Sequence, residues 1–336
     1  MNVSRIAGML AVVGMAVAFA IAPAAAQQPI VIKFSHVVAV DTPKGKGAER
    51  FKQLAEERTK GRDKVEVYPN SSLFKDGEEM EALQLGSVQM LAPSLAKFGP
   101  LGAREFEVFD LPYMFDSFDE LHKVTEGPVG KALFQKLDGK GIVGLAFWDN
   151  GFKDFSANKP LKVPADYKGL KMRIQSSKVL GDQIKALGAI PQVMAFSEVY
   201  QALQTGVVDG TENPPSNFYT QKMHEVQKYL TLTDHGVIEY AVIANKKFWE
   251  GLPADIRATL EGAMKDATKY ANEIAKKEND DALEAVRKSG KTQILTLTPE
   301  EKAQMKKALL PVHKENESRV GKEMLQQVYQ ATGFKP

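Results

Sequence analysis

Short apolar runs alternate with amphipathic stretches along most of the chain, the pattern of strands layered against helices. IVIKFS (30–35) predicts a first buried strand, and GAERFKQLAEERT (47–59) the helix behind it. In KVEVYP (64–69), Val65 and Val67 alternate with Glu66 and Tyr68, the period of a second strand. EEMEALQLGSV (78–88) reads as helix, and QMLAPS (89–94) as a third strand ending at Ser94. KGIVGLAFWDNG (140–151) predicts a buried strand that runs into a glycine turn near Asn150 and Gly151, the first candidate crossing between domains.

A second set then begins with a strand at 170–175, the helix SKVLGDQIKALGA (177–189), the strand IPQVM (190–194) and the helix FSEVYQALQTG (196–206), with VVDGTENPPSN (207–217) as a loop. Strands at 229–234 and 238–244, about Gly236, return the chain to the first sheet. Both domains are therefore expected to be discontinuous, 27–150 plus 238–278 forming one lobe and 151–237 plus 279–336 the other. From Pro253 to Gly290, Ile256, Leu260, Ala263, Ala267, Tyr270 and Ile274 recur at spacings of four and three, one face of a single long helix. At ~1.5 Å per residue it spans ~50 Å, enough to bridge two lobes. Thr298 and Glu301 stand at capping-box spacing for a further helix, and NESRVGKEMLQQVYQ (316–330) closes the fold.

With 336 residues, 43% of them hydrophobic, the chain can bury two cores. Arg5, the apolar run Ile6–Ile21, and Ala24 and Ala26 at A-x-A positions predict a signal peptide cut after Ala26. That run is shorter than the ~20 residues of a membrane span, so a soluble periplasmic protein is expected. Cysteine is absent, which excludes disulfides and thiolate metal sites. Without Arg5 the chain carries 43 basic against 42 acidic side chains, a balance that argues against nucleic-acid binding.

Motifs for catalysis are mostly missing: there is no G-x-S-x-G or H-E-x-x-H, and GKGAER (45–50) lacks the third glycine of a dinucleotide loop. A helix start there could still hold a carboxylate with Lys44 or Lys46. The five histidines sit at no metal-ligand spacing, so no metal or cofactor is expected. His36 closes the first strand, at the end where α/β sheets present ligands. Lys153 falls just past the crossing, beside Trp148, Phe152 and Phe155, where a two-lobed protein holds its ligand. Asn213 precedes two prolines that stiffen its loop. Arg173, between Met172 and Ile174 in a buried strand, needs an anion, supplied by a ligand or by a structural partner such as Glu198 or Asp209.

YPNSSLFKDGEEMEALQLGSVQM, FDLPYMF, DYKGLKMRIQSS, PQVMAFSEVYQALQTGVVDGTENP and HEVQKYLTLTDH resemble, in order, the blocks of the solute-binding proteins of TRAP transporters, the tripartite ATP-independent periplasmic family. The resemblance covers essentially the whole mature chain. It implies an α/β, two-lobed periplasmic-binding-protein (Venus flytrap) fold with crossing strands and a long lobe-bridging helix, closing on a carboxylate-bearing ligand. It also implies that Arg173 binds the carboxylate bidentately, that Asn213 supports it, and that Phe196 packs beside the ligand. The family's partners are a small and a large membrane subunit, and its members capture solutes without catalysis.

HVVAVDTPKGKGAERF and APSLAKFGP resemble the C4-dicarboxylate, DctP-type branch, which implies succinate, fumarate or malate as solute. A second carboxylate would find partners among Lys44, His36, Ser94, Lys97 and Lys153. The sialic-acid branch differs, with an arginine where this chain has Lys153 and an asparagine in place of His36. Sialic, sugar, keto and aromatic acids are alternatives on the same fold. An exported hydrolase or lyase with Lys153 or His36 as base is the alternative from another class. A monomer is expected.

Overall fold

The computed structural model describes residues 28–335, so the predicted signal peptide lies outside the described residues. One set of elements comprises β1 (Ile30–Ser35), α1 (Pro43–Arg58), β2 (Asp63–Tyr68), α2 (Glu79–Gln84), β3 (Met90–Leu91), α3 (Phe118–Thr125), α4 (Pro128–Gln135) and β4 (Ile142–Phe152). The chain then enters β5 (Asp154–Ala157), β6 (Lys171–Ile174), α5 (Lys178–Ala186), β7 (Ile190–Val193), α6 (Val199–Thr205), β8 (Gly210–Asn213), α7 (Pro215–Thr220) and β9 (Tyr229–Leu232). It returns through β10 (Val237–Asn245), α8 (Lys246–Glu250) and α9 (Ala254–Ser289), and ends with β11 (Gln293–Thr296), α10 (Pro299–Leu309), α11 (Pro311–Val320) and α12 (Lys322–Thr332).

These strands form two mixed sheets, β2-β1-β3-β10-β4 and β11-β9-β5-β8-β6-β7. Every residue of β10 is buried because both faces of its sheet are covered. Val237, Ala241 and Ile243 meet Phe109, Leu121 and Leu133, while Val242 and Ala244 meet Phe34, Trp148 and Leu260. The second sheet is likewise sandwiched, with Phe155, Met172 and Leu180 on one side and Val199, Leu203 and Leu230 on the other.

The crossing differs from the expected glycine turn. β4 continues through Gly151, with a register shift against β10 between Asp149 and Gly151, and the chain enters the second sheet after Lys153. Gly151 is small because α9 comes close: a Cβ there would lie 2.7 Å from Asn279 Nδ2. Lys153 N donates to Gly236 O at 2.8 Å, and His235 N to Lys153 O at 3.3 Å. The β4/β10 ladder therefore continues as a paired ribbon into β5 and β9.

Three further expectations change. The predicted loop 207–217 contains β8, a strand paired with both β5 and β6, followed by α7 with Pro215 at its first turn. On α9 the inward stripe is Ala263, Ala267, Ala271 and Ala275, with Tyr270 36% exposed. Alanines let α9 lie against α1, where a Cβ on Gly47 would sit 3.0 Å from Ala271 Cβ. The predicted assignment of all of 279–336 to the second lobe is also corrected, since Met324, Leu325 and Val328 of α12 join the first lobe's core with Leu121 and Val129. Gly321, at φ 88°, makes the turn that sends α12 there.

The long bridging helix is present: α9 has 36 residues, about 54 Å. Leu260 and Met264 lie in the core with Trp148, whereas Val286 lies in the second lobe with Phe218 and Leu230. Among the described residues no helix is long and apolar enough to cross a membrane.

Candidate functional site

Between the two sheets lies a cavity of about 20 Å³, lined from one side by Val37, Val38, Asp76, Ser94, Lys97, Ile238 and Tyr240, and from the other by Arg173, Gln175, Phe196, Asn213 and Asn217. That is room for about one water molecule. The cleft is closed around this small space.

β6 delivers Arg173, which is 2% exposed. It donates to Met194 O from Nε at 3.1 Å and Nη2 at 2.8 Å, and its guanidinium lies 5.6 Å from the centre of the Phe196 ring. Neither expected structural partner pairs with it: Glu198 binds Lys75 at 3.1 Å, and Asp209 accepts from Lys171 N at 2.7 Å. Burial draws the guanidinium below its usual value, opposed by the charges of Asp76 and Glu212, yet an arginine stays cationic. Nη1 makes no hydrogen bond among the described residues, which leaves the Nη1/Nη2 end free to take two oxygens of one carboxylate.

Lys97 is the cation on the other wall. Its Nζ contacts Asp76 Oδ1 and lies 2.7 Å from Glu79 Oε1. Burial lowers the Lys97 value, but the two carboxylates outweigh it and raise it. Glu79 moves up despite this contact, because its burial outweighs Lys97. Asp76 resolves the other way: burial pushes it up, while Lys97, Arg173 and the N–H of Phe196 hold it at about 2.

Hydroxyls and amides complete the wall. Ser94 Oγ donates to Gln175 Oε1 across the cleft. Tyr240 OH accepts from Asn150 Nδ2 at 2.9 Å and from Asn217 Nδ2 at 3.4 Å, so its own proton is available as a donor. Asn213 Nδ2 reaches Thr211 Oγ1 at 3.3 Å, and Asn217 Oδ1 is buried without a hydrogen-bond partner among the described residues.

Of the residues predicted from sequence, Ser94, Lys97, Arg173, Phe196 and Asn213 share this cavity. Lys153 does not line it; its Nζ is 3.0 Å from Glu212 Oε1. Glu212 neighbours Asn213 on β8 and so points from the opposite face of the strand. Lys44 lies behind the wall, donating to Ala92 O at 2.8 Å with its ammonium 3.7 Å from the centre of the Tyr240 ring. Burial and Lys97 lower it to about 7. His36 is also behind the wall, fully buried and lowered to about 3 by burial and Lys44, hence neutral.

The missed residues are Asp76, Gln175, Asn217 and Tyr240 with the apolar Val37, Val38 and Ile238. Gln175 carried a usable signal, since it stands two positions after Arg173 and shares its side of an extended chain.

Two layered lobes, a paired-strand crossing and buried cations facing a closable cleft define a two-lobed solute-binding protein. Residues 34–319 match the model of the bacterial extracellular solute-binding protein family 7, DctP. The chain belongs to that family. It is 63% identical over 328 residues, 98% of each chain, to the C4-dicarboxylate-binding periplasmic protein DctP of Rhodobacter capsulatus. Among solved structures, a TRAP periplasmic solute-binding protein from Shewanella oneidensis with bound succinate superposes with a TM-score of 0.88 at 43% identity, covering 90% of this chain and 99% of the other. One from Pseudomonas aeruginosa PAO1 with bound L-malate gives 0.83 at 44% identity, covering 85% and 100%.

Proposed function

We propose that this protein captures a C4-dicarboxylate such as succinate, fumarate or malate in the periplasm and delivers it to the membrane subunits of a TRAP transporter. The observation that carries this reading is that each lobe places one buried cation, Lys97 or Arg173, on the same small cavity. A dianion satisfies both when the lobes close. The names and bound ligands of the relatives support the same solute class.

In this reading Arg173 takes one carboxylate end-on, Asn213 supports it and Phe196 covers the guanidinium. Lys97, Ser94 and the Tyr240 hydroxyl receive the second carboxylate. Lys44 and His36 act from behind the wall, and Lys153 belongs to the hinge. Capture is noncovalent, without catalysis, by a monomer whose lobes turn about Phe152–Lys153 and Asp234–Gly236.

The test is a thermal-shift screen of ligand-stripped protein against succinate, fumarate, L-malate, sialic acid, sugar acids and aromatic acids. A ligand bound only by the folded state contributes about 2.7 kcal/mol at a hundredfold excess over Kd. Large shifts with the C4 acids alone are expected. A shift confined to another acid would overturn the solute assignment.

A further inference from the structure

Among the described residues Asp76 is the only carboxylate on the cleft wall, an unexpected charge in a site that takes an anion. One of its oxygens contacts Lys97 Nζ, on its own side of the cleft. The other accepts the N–H of Phe196, which belongs to the opposite lobe. Phe196 opens a short 3₁₀ turn, and two residues before it Met194 O receives Nε and Nη2 of Arg173. A single carboxylate therefore bears on both cations, by contact on Lys97, and on Arg173 both by its charge and through the 194–196 segment.

We infer that Asp76 is a positioning residue for solute capture, one that fixes the two cations in the geometry that receives the solute and ties the lobes together as they close. This rests on the proposed solute-capture reading. The carboxyl, held at about 2, is ionised throughout the neutral range. Its negative charge offsets part of the attraction for the solute. The return is preorganisation, since Lys97 is already held when the solute arrives and the 194–196 segment is fixed as the lobes close on it. The adjacent Lys75–Glu198 pair crosses the same boundary, but both of its side chains are 51% exposed, so it contributes little.

Asp76→Asn, nearly isosteric and uncharged, is the variant to measure, with succinate as probe in calorimetry and stopped-flow kinetics and with small-angle scattering of the ligand-free protein. Succinate should dissociate at least tenfold faster, its affinity should fall by a similar factor, and the ligand-free radius of gyration should increase. Glu198→Gln, which breaks only the exposed pair, should stay within twofold of wild type in all three. A Kd for Asp76→Asn within threefold of wild type would overturn the inference. A tenfold loss with unchanged ligand-free scattering would also overturn it, because Asp76 would then act on the solute alone. An equal loss in Glu198→Gln would do the same, by assigning the effect to general adhesion between lobes. Should Asp76→Asn not fold, Asp76→Glu must show the same changes in smaller measure. Wild-type protein that binds no succinate would count against the functional reading instead, so the two failures are distinguishable.

Discussion

Lys153 and Glu212 form an ion pair buried on both sides, Nζ to Oε1 3.0 Å, where the chain passes from one lobe to the other. His235 Nε2 meets the other Glu212 oxygen at 2.7 Å. The backbone accommodates this, since a Cβ on Gly236 would come within 2.8 Å of Lys153 Cε. Burial pushes Glu212 up, but Lys153 and His235 outweigh it and hold the carboxyl at about 2. Its folded value is thus depressed, and its contribution to stability is present above the usual glutamate range and lost as pH falls through about 2.

Lys153→Met strands that carboxylate in the interior, and stability should fall by about 3–5 kcal/mol. The double variant Lys153→Met/Glu212→Gln should recover most of the loss. Urea unfolding checks both, and a wild-type midpoint for the single variant would contradict the assignment.

Arg173→Ala should weaken succinate binding by about two orders of magnitude or more, as expected for removing one member of a buried ion pair. Arg173→Lys should also bind poorly, because an ammonium cannot present the two-pronged end that Arg173 leaves free. Calorimetry at constant ionic strength measures both, and wild-type affinity in either variant would remove Arg173 from the clamp.

Lys44 gives a pH dependence. Its amine, lowered to about 7 by burial and Lys97, lies just behind Tyr240, and a dianion in the cleft favours its protonated form. Succinate binding near pH 8 should therefore take up protons, and affinity should fall as pH rises from 7 to 9. Calorimetry in buffers of different ionisation heat reads the uptake directly, and Lys44→Met should abolish it. In the ligand-free protein the same depressed value costs stability below pH 7, a cost that fades as pH rises toward the ordinary lysine range. Lys44→Met should accordingly gain most on wild type at pH 6.

Gly151→Ala should destabilise by about 1–3 kcal/mol, since its methyl would displace the Asn279 side chain. Asn279 would lose its bonds to Asn150 O, at 2.6 Å, and Ser216 N, at 3.0 Å. Thermal melting checks this, and an unchanged midpoint would show that α9 gives way without cost.

Much of this was legible along the chain. Apolar runs marked β1, β2, β4 and β10, and the long periodic stretch marked α9, because burial on a regular element leaves a repeating trace. β8 left none: GTEN gains its place from pairing with β5 and β6 rather than from apolar residues of its own. Arg173 was conspicuous as a charge between core residues, whereas Asp76 sat in an ordinary polar loop whose approach to Phe196 depends on the second lobe. Lys153 looked equivalent to Lys97 in sequence. Only the face of the strand on which Glu212 stands separates a hinge lysine from a cleft lysine.

The two crossing strands are hydrogen-bonded side by side, and α9 runs unbroken between the lobes. Sliding or pulling apart would break the ladder or the helix, so swinging about one line is the inexpensive motion. A surface resting on both lobes at once would register their closure as an angle. Parting the lobes uncovers the cleft walls and widens the spacing between the halves, so closure is legible from outside as a length as well as a change of surface.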